Sequence, residues 1–242
     1  MFLFKGVSLL KIINGEKVPV LSGIDLKISK QAITAFIGPS GAGKSTLLRL
    51  FNRLEDPTGG MIYFKEQSIT SYDVLELRRR VGMVFQIPVM FPGTVAENIH
   101  YAAKFNHSAG RMRPVRELLE MVGLEPSLAE RRAEQLSVGQ QQRVAFARSL
   151  ATNPEVLLLD EPTASLDPTS AAGILELLKR LCAGLGLTAV LITHLLQQAE
   201  YYSDYTAFLE KGRLLEFNSS SELFNNPRRA ETRNFLAGGG VK

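Results

Sequence analysis

The run Gly38-Pro39-Ser40-Gly41-Ala42-Gly43-Lys44-Ser45-Thr46 has the residue types and spacing of G-x-x-x-x-G-K-[ST]. In that pattern the glycines let the backbone curl so that several N–H groups converge on phosphate oxygens. A helix beginning at the end of the run adds unpaired N–H groups and its positive dipole end. Lys44 is expected to reach the β- and γ-phosphates of a nucleotide, and Ser45 to put its hydroxyl on Mg²⁺. The alternative is a glycine-rich turn without a ligand, which Lys44-Ser45 and the flanking residues argue against.

A second group of candidates follows apolar runs. Val156-Leu157-Leu158-Leu159 ends in Asp160-Glu161-Pro162, two carboxylates at the end of a strand. Ligands of parallel sheets sit beyond the carboxyl ends of strands. Asp160 is therefore read as the Mg²⁺-side acid and Glu161 as the group that polarises an attacking water, although two acids at a strand end can also simply cap the next turn. His194 follows the apolar run 187–192, where its ring could contact a γ-phosphate. A strand-end histidine is more often structural, and its position parallel to Glu161 is what favours a role. Gln86 closes the run 81–86 and could fall near the metal.

These side chains need a scaffold. Residues 33–37 read as a buried strand before the glycine-rich run, and 45–54 carry Leu47, Leu48, Leu50, Phe51 and Leu54 at helical spacing. Residues 2–9 and 20–29 read as strands around a turn at 14–17, and 61–64 as a further strand with its turn at 65–67. Residues 72–80 form a short polar helix leading into strand 81–86. Beyond Gln86, with Pro88, Pro92 and Gly93 punctuating a loop, helices are expected over 95–104, 111–122, 127–135 and 139–151, with no convincing strand among them. Strands resume at 156–159 and 188–192, all apolar as expected when both faces are covered, with an amphipathic helix over 170–181 between them. A hairpin turning at Lys211-Gly212 and short helices around Leu223-Phe224 and Phe235-Leu236 complete the chain. The pattern is α/β, with a helical insert.

The 242 residues include 28 basic and 24 acidic side chains, a weak bias of +4 that does not argue for nucleic acid. The arginines at 111, 113, 116, 131 and 132 read as solvated helix faces interleaved with Glu117, Glu120, Glu130 and Glu134. A single cysteine, Cys182, excludes an internal disulfide framework and favours a cytosolic compartment. No run approaches 18 apolar residues, and the apolar start at residues 1–4 stops at Lys5, so neither a spanning helix nor a signal peptide is expected.

At Leu136-Ser137-Val138-Gly139-Gln140-Gln141-Gln142-Arg143 the chain resembles the ATP-binding subunits of ABC transporters. The resemblance runs from about Phe4 to about Leu236, with the family's motifs in the family's order. Gly38 to Thr46 matches Walker A, Gln86 the Q-loop, Leu136 to Gln140 the signature, Val156 to Glu161 Walker B, Ser165-Leu166-Asp167 the D-loop and Thr193-His194 the switch motif. It implies one P-loop NTPase domain over 1–242. A mixed sheet core with an N-terminal antiparallel β region would span 1–86 and 152–242, and the helical subdomain about 87–151. ATP hydrolysis would occur in a head-to-tail dimer with a second copy. Ser137, Gly139 and Gln140 of one copy would then close on the nucleotide held by Gly38–Thr46 of the other. Glu161, His194 and Gln86 would serve catalysis, and Ser45, Gln86 and Asp160 the Mg²⁺ ion.

Two departures stand out. Val138 replaces the first signature glycine, with activity still expected. The aromatic that usually stacks on adenine is missing: alignment puts Lys11 or Ile12 there, and adenine would rest on Ile12 or Ile13. Leu195 is a smaller oddity after the histidine. With no fused membrane segment, the resemblance implies a separate transmembrane permease, docking after Gln86 and placing this chain at the cytoplasmic face of the membrane. Residues 77–86 and the ending 222–236 look like phosphate and polar amino-acid importers, and phosphate-like import is the favoured reading. Val138 and residues 91–98 also look like two-component systems linked to metal tolerance or export. A soluble ABC-type ATPase acting on ribosomes or DNA is a further class, and the second domain or long insert typical of those is absent here.

Overall fold

The computed structural model describes residues 1–101 and 113–239 and divides the chain into two units, Met1–Leu77 with Thr188–Lys242, and Arg78–Leu187. The fold is P-loop NTPase-like α/β, with a mixed sheet core, N-terminal antiparallel strands and an inserted helical subdomain.

In the first unit, strands β1 (Phe2–Ile13) and β2 (Glu16–Ile28) form a hairpin. They are longer than the alternation of their residues predicts. Bulges between Phe4 and Val7, and again near Leu9, shift the pairing register, so the period-2 pattern fails before the strand does. The turn is only Asn14-Gly15, both at positive φ (53° and 84°), which a tight primed turn requires. Strands β4 (Gly59–Phe64) and β5 (Gln67–Ser68) extend this antiparallel sheet in the order β2-β1-β4-β5. Its inner face presents Phe2, Phe4 and Phe64. Phe51 enters that cluster with ring centroids 4.8 Å from Phe2 and 4.6 Å from Phe4. Aromatic pairs of this kind add about 0.5–1.5 kcal/mol each beyond burial.

Phe51 caps helix α1 (Lys44–Leu50), shorter than the leucine spacing suggests. Arg53 is left-handed (φ 54°) and the Leu54 N–H turns back to the Arg49 carbonyl at 3.0 Å, which closes the helix although apolar residues continue. Behind α1, strand β3 (Ile33–Ile37) is buried throughout. It runs parallel to β8 (Thr188–Ile192) and β9 (Tyr205–Glu210), and β10 (Arg213–Ser219) returns antiparallel to β9, so this part of the sheet is mixed. Helices α7 (Leu196–Tyr202) and α8 (Ser220–Asn225) cover it through Ala199, Phe208 and Leu223.

Helix α2 (Val74–Arg80) leads into β6 (Val81–Val84). In the second unit, β6 and β7 (Val156–Asp160) pair in parallel. Between them lie helices α3 (Val95–His100), α4 (Val115–Met121) and α5 (Val138–Leu150). The expected helices 95–104 and 111–122 extend in part outside the described residues. The expected helix 127–135 is not formed. Two 3₁₀ turns, Pro126–Glu130 and Ala133–Gln135, stand there instead. The backbone between them pairs across to the loop at Gly93–Val95, with Val95 N–H donating to Arg131 O at 2.9 Å and Ala133 N–H to Gly93 O at 3.0 Å. Long-range pairing has overridden local propensity. Helix α6 (Pro168–Leu185) runs longer than expected at both ends, capped by Asp167 and stopped by left-handed Gly186.

Candidate functional site

Strand β3 delivers the chain into a loop whose shape depends on glycine. A Cβ on Gly38 would lie 2.0 Å from the Leu209 carbonyl oxygen, and one on Gly43 would lie 2.9 Å from the Leu21 side chain and 3.0 Å from the Val20 carbonyl. The loop is thus clamped against β9 and β2. A further tie is the Gly212 N–H, donated to Ala42 O at 3.2 Å. Ser40 and Gly41 are exposed, Ala42 is buried, and Pro39, Ser45 and Thr46 are half-buried. Lys44 is only 7% exposed. Its Nζ donates to the carbonyls of Gly38 at 2.7 Å and Pro39 at 2.9 Å, so the ammonium is folded over the mouth of its own loop. No side chain caps the N-terminus of α1, where the helix dipole favours an anion. The donor set fits a nucleotide phosphate.

His194 belongs to the same unit. Phe36 pairs with Ile192, and both Gly38 and His194 lie two residues further on. The histidine is exposed, and its neighbour Thr193 is locked by hydrogen bonds to Gln198 Oε1 (2.8 Å) and from the Leu195 N–H (3.1 Å). Ile12 stands 76% exposed near the end of β1, and Ile13 49%. Lys11 is engaged by Glu55 at 2.7 Å, which leaves the two isoleucines as the apolar surface there.

In the other unit Val84 pairs with Leu159, and Gln86 and Glu161 each follow two residues later. Asp160 is buried at the last position of β7. Glu161 adopts φ 47°, an unusual conformation for a non-glycine residue and a kind of strain that gathers at functional positions. Gln86 is exposed. These residues offer hard oxygen donors, the chemistry Mg²⁺ takes. Among the described residues no cluster of three or more His, Cys, Asp or Glu side chains stands ready for a metal by itself.

The residues Ser137, Gly139 and Gln140 open helix α5. Ser137 Oγ accepts from the Gln140 N–H at 3.3 Å while Gln140 Oε1 accepts from the Ser137 N–H at 3.1 Å, a reciprocal capping box. The Ser137 O–H remains able to donate. Val138 points outward, 47% exposed, and does not bury itself against the cap. Asp167 caps α6 through the N–H groups of Thr169 (3.1 Å) and Ser170 (3.0 Å). The Ser170 side chain, then the Ser170 backbone, hold its carboxyl below the usual range.

One residue was not singled out from the sequence. Gln142, fully buried on α5, donates Nε2 to the Phe85 carbonyl at 3.2 Å, tying the signature helix to the strand end just before Gln86. Its adjacency to the signature motif was the available signal. Three of the insert arginines pair with interleaved acids: Arg113 with Glu117, Arg116 with Glu120 at 3.0 Å, and Arg132 with Glu134 at 3.5 Å. Arg111 lies outside the described residues. No helix among the described residues is long and apolar enough to cross a membrane.

A family model described as ABC transporter matches residues 21–164. Protein STAR1 of rice is 44% identical over 223 residues, 92% of this chain but 64% of that protein, so the chain spans just under two thirds of that relative's length. The phosphate import ATP-binding protein PstB of Campylobacter jejuni is 42% identical over 239 residues, covering 95% of this chain and 96% of that one. Among solved structures, a dimeric post-hydrolysis state of the ATP-binding cassette MJ0796 bound to ADP and Pi superposes with a TM-score of 0.80 at 33% identity, over 91% of this chain and 99% of that one.

Proposed function

Since the chain belongs to the ABC transporter ATPase family, we propose that it hydrolyses ATP as a dimer to drive phosphate-type import through a separate membrane subunit. The observation that carries the reading is the Lys44 cage: a buried ammonium bridging two carbonyls of a glycine loop exchanges them for phosphate oxygens when a nucleotide enters. Likeness to PstB over nearly the whole of both chains supports phosphate as the solute. Likeness to a cassette bound to ADP and Pi supports hydrolysis and dimerisation.

The roles follow from the chemistry of each side chain. The N–H groups from Gly38 to Thr46 cradle the phosphates. Ser45, Asp160 and Gln86 are the oxygen donors for Mg²⁺, which when bound neutralises phosphate charge. Glu161 orients the attacking water, and His194 steadies the γ-phosphate. Ile12 supports the adenine. Ser137, Gly139 and Gln140 act from the second copy on the nucleotide held by the first. Residues 88–98, after Gln86, meet the membrane subunit, which holds the chain at the cytoplasmic membrane face.

The test is phosphate uptake into vesicles carrying the co-purified complex, with ATP supplied on the side of this chain. ATP-dependent uptake is expected. Hydrolysis without phosphate movement would overturn the solute assignment and favour the metal-tolerance or export reading that Val138 also fits. An absence of hydrolysis would overturn the function itself.

A further inference from the structure

The outward face of β1, β2 and β4 gathers lysines. Along β1, Phe2 and Phe4 are buried, so Leu3 and Lys5 stand on the other face. The register sets Lys27 of β2 and Tyr63 of β4 opposite Leu3, one on each side. Lys30 follows the end of β2, and Lys65 sits in the turn between β4 and β5. Lys5, Lys27, Lys30, Lys65, Tyr63 and Glu66 border a pocket of about 740 Å³, a size that suits a small ligand. None of residues 38–46 lines it.

Four ammonium groups meet one carboxylate there, that of Glu66. Among the described residues Lys5, Lys27 and Lys30 have no carboxylate partner. Asp25, two residues before Lys27, accepts the Gly6 N–H at 2.9 Å and does not line the pocket. The local field is positive: burial first, then Lys30 and Lys27, push the pKa of the Met1 amine down, with Glu66 opposing them. Like charges gathered in this way repel one another until an anion enters. The turn carrying Lys65 and Glu66 holds both at positive φ, 49° and 69°, where asparagine or glycine ordinarily stand. Charged side chains occupy the rim despite that preference.

The lining also selects among anions. All four cations are lysines, point charges that suit phosphate, whereas a planar carboxylate is better gripped by the arginine fork. They come from four separate backbone positions around the pocket, which suits several phosphates rather than one. No amide or aliphatic hydroxyl side chain is present to read a base or a sugar. The Tyr63 hydroxyl donates to Met61 Sδ at 3.3 Å, and Lys5 Nζ lies over the Tyr63 ring, 5.3 Å from its centroid. We propose that this pocket binds a soluble chain of condensed phosphates. The site is separate from the nucleotide loop and does not depend on the roles proposed for residues 38–46.

Tripolyphosphate is titrated without Mg²⁺ into the full chain carrying Lys44→Ala, which removes the nucleotide loop as a competitor, and binding is followed by calorimetry. One saturable site per chain is expected. Adding Lys27→Gln and Lys30→Gln should weaken it by about tenfold or more, as when charge-assisted hydrogen bonds are lost. Tm should stay unchanged or rise, because repulsion is relieved. Lysine acetylation read by mass spectrometry locates the ligand on the unsubstituted chain. Tripolyphosphate should protect Lys5, Lys27 and Lys30 and leave Lys17, exposed near the hairpin turn, unprotected. Sulfate at the same ionic strength should protect none of them. Absence of saturable binding, binding unchanged by the two added substitutions, or equal protection by sulfate overturns the proposal. Adsorption to phosphatidylserine vesicles without tripolyphosphate binding overturns it too, and makes this face a lipid contact.

Discussion

Gln86 and Glu161 occupy matching positions beyond the paired strands β6 and β7, each two residues past the Val84–Leu159 pair. They lie 75 residues apart in the chain, yet the parallel register brings both to one strand-end edge. Glu161 turns there in a left-handed conformation directly after buried Asp160. The two adjacent carboxylates therefore leave the strand differently, as the proposed division into a metal-side acid and a water-orienting one requires.

Glu161→Gln should keep ATP and Mg²⁺ binding and lose most turnover, by about a hundredfold or more, as when a group that stabilises the transition state is removed. Lys44, Ser45 and Asp160 remain to bind. With hydrolysis blocked and a negative charge removed, the ATP-bound dimer should accumulate. Phosphate release set beside size-exclusion chromatography in ATP checks this. Wild-type turnover in the variant would sink the catalytic role of Glu161.

Lys44→Ala should weaken ATP binding by roughly a hundredfold, since charge-assisted hydrogen bonds worth about 1.5–3 kcal/mol each are lost. The same change frees the carbonyls of Gly38 and Pro39, to which the Nζ now donates. Calorimetric titration with ATP is the measurement. Unchanged affinity would show that this loop does not hold the phosphates.

Val138→Gly should leave the fold intact and alter ATP hydrolysis by only a few-fold. Val138 is at the first position of α5 with its side chain outward, and the Ser137–Gln140 capping box does not use it. Glycine costs a helix interior about 1 kcal/mol and less at its first turn. Thermal melting and steady-state hydrolysis decide the matter. A complete loss of turnover would mean that Val138 contacts the nucleotide or the second copy.

Glu216 makes stability depend on pH. Its carboxylate is buried and accepts the N–H groups of Arg228 at 2.9 Å and Arg229 at 3.2 Å, pinning the approach to helix α9 (Ala230–Asn234). Burial pushes its pKa up, but the Arg228 backbone N–H, the nearby Thr232 hydroxyl, the Arg229 backbone N–H and the Arg228 charge together outweigh burial and hold it below the usual 4.5. A depressed folded pKa gives stability that is complete above the unfolded value and lost as pH falls through the folded one. Tm should therefore decline more steeply below about pH 4.5 for the wild type than for Glu216→Gln, which should be less stable at pH 7. Parallel Tm–pH curves for the two proteins would contradict this.

Much of the candidate site was legible because its parts are made by consecutive residues. A phosphate cradle needs its glycines, lysine and hydroxyl within one turn of backbone, so residues 38–46 announce it without help from the rest of the chain. The acids at 160–161 follow their own apolar strand, and the capping box at Ser137 and Gln140 is a spacing of three. Composition and periodicity likewise sufficed for the alternation of buried strands and amphipathic helices, and so for the α/β class with its helical insert.

Tertiary structure decided everything that depends on partners distant in sequence. The hairpin reaches Asn14-Gly15 because pairing persists through bulges that scramble the alternation. Residues 127–135 abandon helix because the backbone at Arg131 and Ala133 is taken by the loop at Gly93–Val95. The alignment of Gln86 with Glu161, the grip of Gln142 on Phe85, and the gathering of Lys5 and Lys27 beside Tyr63 arise the same way. In each case the free energy comes from a contact whose two halves lie tens of residues apart, and no local pattern of residue types records which half will meet which.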